Sequence, residues 1–143
     1  MVDAVNPSEL WQPFGPFSQA VIQGDGQIVH LKGQVALDRD GQIVGKGDLR
    51  AQLRQVLLNI QTMLQSMGGN MGDVASLTHY TTDMGWFLEC GDIRREFFAP
   101  PYPVTTTVQV AALYHGELMI EIAAMAEIPR DRFKRPSTPS AQA

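Results

Sequence analysis

Segment 48–67 carries one apolar stripe, and no other feature constrains the fold as much. Leu49, Leu53, Val56, Leu57, Ile60, Met63, Leu64 and Met67 recur at spacings of three and four. On an α-helix such positions fall along one face. Asp48 stands where an N-cap belongs, and Gly68-Gly69 stops the run. A helix this long with a single apolar side needs an apolar surface to lie on, and the rest of the chain must provide it.

The flanking segments have the period of strands. Residues 19–23 and 27–37 read as two strands separated by the turn signal Gly24-Asp25-Gly26, and Asp38-Arg39-Asp40-Gly41 closes the second. In 74–82, Leu77, His79 and Thr81 share one face and Thr78, Tyr80 and Thr82 the other. A second helix is predicted over 83–98, weakened by Gly85 and Gly91 and buried through Leu88, Ile93 and Phe97. Ala99-Pro100-Pro101-Tyr102-Pro103 is a stiff connection into a strand that carries Thr105, and Gly116 marks the turn into the last strand. Residues 1–18, with three prolines, read as an extended arm, and 130–143 as a mobile Pro/Ser-rich tail after a single domain over 1–129.

The order is β-β-α-β-α-β-β, an α+β fold with two helices on one face of a mixed sheet. The other face, read from Ile28, Ala111, Met119, Ala123 and Met125, is too apolar for solvent, so an oligomer that buries it is expected.

Composition excludes several function classes. With 44% hydrophobic and 18% charged residues the chain is globular rather than disordered. A net charge of −4 with scattered Lys and Arg argues against a nucleic-acid partner. A lone cysteine, Cys90, rules out an internal disulfide; with no signal segment and no long apolar run, a cytoplasmic protein without membrane contact is expected. There is no zinc-type Cys/His spacing, no phosphate-binding glycine loop and no Gly-x-Ser-x-Gly elbow, so neither a metal nor a cofactor is called for. His30, His79 and His115 are isolated and read as structural or surface groups, and Cys90 as an inert buried thiol.

Two charges stand out. Glu121 lies inside the apolar run Leu118-Met119-Ile120-Glu121-Ile122-Ala123-Ala124-Met125-Ala126, where a carboxylate is costly without a partner or a role. It is either a structural carboxylate or a general acid/base. In 28–35, alternation puts His30, Lys32 and Gln34 on one face, and Gly33 lets a ligand or another backbone approach. Lys32 thus anchors a ligand or pairs with Glu121. Thr105, Thr107 and Gln109 alternate on one strand face and offer two hydroxyls and an amide to a small polar ligand.

Four segments in this order resemble the reactive-intermediate deaminase (Rid, YjgF-like) family, once labelled endoribonuclease L-PSP. They are Pro13-Phe14-Gly15-Pro16-Phe17-Ser18-Gln19-Ala20, Leu31-Lys32-Gly33-Gln34, the strand from Pro103 to Leu113, and Met119 through Ala126. The resemblance implies a homotrimer of chorismate-mutase-like subunits, with clefts between subunits in which enamines and imines are hydrolysed to keto acids and ammonia without cofactor. It also implies site positions. Thr105 stands where active members carry a carboxylate-gripping arginine, Phe17 at the tyrosine, Lys32 at the serine, Gly91 at the asparagine and Thr107 at the cysteine; Glu121 is carried over.

Threonine cannot replace a guanidinium fork, so little or no turnover of 2-aminoacrylate-derived imines is expected. The expected function is therefore hydrolysis of an enamine- or imine-type metabolite in an arginine-less site, with Glu121 and Lys32 catalytic and Phe17, Thr105, Thr107, Gly33 and Gly91 binding substrate. The alternative is a trimer that binds a small ligand without turnover. RNA cleavage is disfavoured by the acidic charge.

Overall fold

The computed structural model describes residues 2–137. The long stripe forms helix α1, Leu49–Ser66, with the Asp48 carboxylate accepting from the Ala51 N–H and Gly68 in the left-handed region at φ 82°. Its buried side holds Leu49, Leu53, Val56, Leu57, Ile60 and Leu64, all fully buried. Burying each such side chain stabilises by about 1.5–3 kcal/mol. Met63 is exposed and lies outside that stripe.

The surface under α1 is a four-stranded sheet. Strands β3 (Gln27–Val35), β4 (Val74–Thr81), β5 (Val104–Gln109) and β6 (Ile120–Ile128) lie in the order β3-β6-β4-β5. Only β4 and β5 are parallel; β6 runs antiparallel to both β3 and β4. In β6, Ile120, Ile122, Ala124, Ala126 and Ile128 are buried in the core beneath α1, while Glu121, Ala123 and Met125 alternate onto the opposite face and are half-buried. Met119, expected on that helix-free face, packs against the core instead.

Two parts depart from the sequence reading. The second helix is interrupted into α2 (Met84–Leu88) and α3 (Gly91–Phe97); Cys90 stands at the N-cap of α3 without a capping bond and donates its thiol to the Trp86 carbonyl instead. The arm begins with a strand, β1 (Val2–Val5), which pairs antiparallel with β2 (Ala20–Gln23) in a separate two-stranded ribbon. The turn after β2 is held by the buried Glu127 carboxylate, which accepts from the Gly24 and Gly26 N–H groups at 3.1 and 2.8 Å.

Buried polar groups tie the layers together. Gln52 donates to the Gly45 and Glu117 carbonyls and accepts from the Met119 N–H at 2.8 Å, which clamps α1 to the entry of β6. The segment read as a tail starts by docking. Arg132 forms a bidentate pair with buried Asp73 at 2.6 and 3.0 Å, and the Lys134 N–H donates to the Met67 carbonyl. The remainder of that expectation, 138–143, lies outside the described residues. No helix among the described residues is long and apolar enough to cross a membrane.

Candidate functional site

Within one chain the expected site residues divide into two groups on opposite faces of the sheet. The register of β4 with β5 sets Thr105 opposite Leu77 and Thr107 opposite His79. Leu77 and His79 are buried beneath the helices, so both threonines share that side. They line a cleft of about 350 Å³ with Phe17, Gly91, Arg94 and Arg95.

The arm reaches this cleft because it is stapled to the start of β5. Ser18 donates its hydroxyl to the Tyr102 carbonyl at 2.6 Å, and its N–H to the Pro103 carbonyl at 3.0 Å. Trp11, Phe14 and Phe17 then stack as a trio with ring centroids 5.3–5.9 Å apart, forming one wall. Phe14 is 83% and Trp11 59% exposed, an unusual exposure for stacked aromatic rings.

The opposite wall is α3. Its acidic residues are already engaged: Arg50 of α1 pairs with Asp92 at 2.6 Å and Arg54 with Glu96 at 3.0 Å. Arg94 and Arg95 line the cleft and make no ion pair among the described residues. Arg94 stacks over Phe87 at 4.9 Å, and its Nε is buried without a hydrogen-bond partner. Burial and then the neighbouring Arg95 charge lower its pKa, although a guanidinium stays protonated at neutral pH. Gly91 leaves space for both: a Cβ there would lie 3.1 Å from Arg95 Nη1 and 3.9 Å from Arg94 Nη2. The two guanidinium ends therefore converge over Gly91.

His79 lies under the threonines. It is fully buried, its Nδ1 sits 2.9 Å from the Thr107 hydroxyl, and its Nε2 has no partner. Burial, helped by the Arg94 charge, lowers its pKa to about 3, so the ring is neutral at physiological pH.

The second group is Lys32, Gly33 and Glu121. Leu31 pairs with Ala124 but Gln34 with Ile122, so β3 carries one extra residue, a bulge at Lys32–Gly33. The bulge shifts the alternation. Gln34 shares the core face with Ile122 and borders Gln55 and Asn59 of α1, which corrects its placement beside His30 and Lys32. The Glu121 carboxylate lies over Gly33, with Oε2 filling the space that a Cβ would take. Lys32 is exposed, and no ion pair joins it to Glu121 among the described residues. Glu121 is on β6, two strands from β5 and on the other face, so one chain does not bring it to the threonines.

Sequence reasoning missed Arg94 and Arg95, which line the cleft, whereas His79, read from the sequence as a structural or surface group, is buried beneath it and does not line it. The signal for the arginines was faint: an Arg-Arg pair after Gly91.

The chain matches the family model described as Endoribonuclease L-PSP over residues 8–128. The chain belongs to this family, also known as Rid. A RutC family protein of Pyrococcus horikoshii is 37% identical over 116 residues, covering 80% of this chain and 89% of that one. A 2-iminobutanoate/2-iminopropanoate deaminase of Dermatophagoides farinae is 32% identical over 102 residues, 71% of this chain and 78% of that one. The crystal structure of a Rid family protein of unknown function from Yersinia pestis superposes with a TM-score of 0.81 at 34% identity, covering 89% of this chain and 98% of that one. The α+β architecture inferred from the sequence is that of the family.

Proposed function

We propose that this chain hydrolyses a small enamine- or imine-type metabolite in a site that two copies of the chain complete within a homotrimer. The division of polar groups carries this reading. The cleft beside β5 holds two cations and two hydroxyls, and no carboxylate among the described residues lines it. The carboxylate suited to proton transfer, Glu121, stands on the helix-free face that also carries half-buried Ala123 and Met125. A second copy packed on that face and against the β5 edge supplies Glu121 to its neighbour's cleft.

The chemistry is modest. Water attacks the C=N carbon of the protonated imine as one of its protons passes to Glu121, and the π electrons move to nitrogen, giving a neutral carbinolamine. Glu121 then returns that proton to the amine nitrogen; the C–N bond breaks as the carbinolamine hydroxyl gives its own proton back to the Glu121 carboxylate, so ammonia leaves and a carbonyl remains. Thr105 and Thr107 orient the nitrogen end, and Lys32, at the bulge beside Gly33, anchors a polar group of the substrate. The name of the Dermatophagoides relative supports this reaction class. Non-catalytic ligand binding is the second reading, favoured by the replacement of the family's tyrosine, serine, asparagine and cysteine by Phe17, Lys32, Gly91 and Thr107.

Mixed oligomers test the shared site. Glu121→Gln and Arg94→Gln chains are each expected to lose ammonia release from an imine panel. Co-expressed, they are expected to recover roughly a quarter of wild-type turnover, because random assembly pairs an intact cleft with an intact Glu121 that often. No recovery would place both groups in sites of one chain, and a wild type inactive on every imine would leave the binding reading.

A further inference from the structure

We propose that Arg94 and Arg95 form an anion subsite supplied by α3, and that the Trp11–Phe14–Phe17 wall facing it is an apolar subsite. Together they select a carboxylate that bears an aromatic or branched apolar side chain. The inference rests on the cleft being the ligand site proposed above.

Three observations support it. The acidic residues of α3, Asp92 and Glu96, are taken by Arg50 and Arg54, which leaves Arg94 and Arg95 without an anionic partner among the described residues of their own chain, although Arg94 is half-buried. A guanidinium in a partly desolvated position with an orphaned buried Nε is costly unless something anionic completes it. Both guanidinium ends meet over Gly91, whose missing side chain opens that point to the cleft. Across from them, Phe14 and Trp11 hold a stacked arrangement while mostly exposed, a surface that an apolar ligand would cover. The cation thus comes from α3, while the β5 position bears Thr105. A ligand with only a small side chain would leave the aromatic wall uncovered.

Calorimetry with unreactive probes tests this apart from turnover, using 3-phenylpropanoate, propanoate and 3-phenylpropan-1-ol. The acid with the ring is expected to bind about tenfold or more tighter than either of the others, since each lacks one half of the match. Arg94→Gln and Arg95→Gln are each expected to bring 3-phenylpropanoate about tenfold down, toward the alcohol, with alcohol binding unchanged. Arg95 is exposed, so its variant reports even if the Arg94 variant fails to fold. Phe14→Ala, at an exposed position, is expected to erase the preference over propanoate. Equal binding of acid and alcohol, or of the two acids, or indifference to Arg95→Gln, overturns the proposal. If the probes rank as expected but no imine yields ammonia, the subsite stands and the hydrolase reading falls; turnover without this ranking does the reverse.

Discussion

Acidification to about pH 5 is expected to destabilise this fold through His79. In the unfolded chain a histidine takes up its proton near 6.5, whereas buried His79 does so only near 3, because desolvation and then the Arg94 charge oppose the cation. Between those values the unfolded state binds more protons than the native state, so stability is lost as pH falls through that window. The slope is about 1.4 kcal/mol per pH unit, which gives about 2 kcal/mol between neutrality and about pH 5. Asp92 is held below the usual carboxylate range chiefly by its hydrogen bond from Arg50. Glu127 is also lowered, because hydrogen bonds led by that of the Gly26 N–H outweigh its burial. Both lose their contributions only as pH falls through the carboxylate range, below the interval used. Urea unfolding of wild type and His79→Gln at fixed protein concentration, near pH 7.5 and pH 5, isolates the effect. The amide keeps a partner for Thr107 and does not titrate, and His30 and His115 are common to both chains. The variant is expected to show about 2 kcal/mol less acid sensitivity. Identical pH dependence in the two chains would refute the assignment of a neutral, buried His79.

Three further outcomes are expected. Gly33→Ala drives a methyl group into the Glu121 carboxylate, so it should depress turnover strongly; because that side chain is half-exposed and can swing away, thermal unfolding should show a loss of only about 1 kcal/mol, and none when Glu121→Ala is added. Gln52→Leu removes three hydrogen bonds and leaves the Met119 N–H and the Glu117 carbonyl without these partners, while the Gly45 carbonyl keeps the Asp48 N–H, at a cost of about 2–3 kcal/mol by chemical denaturation; a loss below about 1 kcal/mol would show that the clamp is dispensable. Arg132→Ala removes the cation from buried Asp73 and leaves it the Asn70 N–H, and the loss, reduced because the arginine is partly exposed, is expected to be about 1–2 kcal/mol; truncation after Pro129 should then cost at least as much.

The sequence by itself determined what depends on near neighbours along the chain. Helix α1, its Asp48 cap and its glycine stop follow from a periodicity confined to twenty residues, and the alternation of β6 follows from nine (about one element's length in each case). Local signals also placed Thr105 and Thr107 together, because a regular strand keeps its parity. They failed at Lys32–Gly33, where the extra residue is defined only against β6 and moves Gln34 to the core face. They failed for β1 as well, since a four-residue strand is marginal until β2 pairs with it. The cations of the cleft were invisible for a similar reason. Asp92 and Glu96 stand beside Arg94 and Arg95 in sequence, and a local reading would pair them. Instead α1 packs against α3 and brings Arg50 and Arg54 to the acids from 42 residues away, which frees Arg94 and Arg95 to meet over Gly91. Which charge is left without a partner is settled by packing, because desolvation and ion pairing depend on distance in space rather than along the chain.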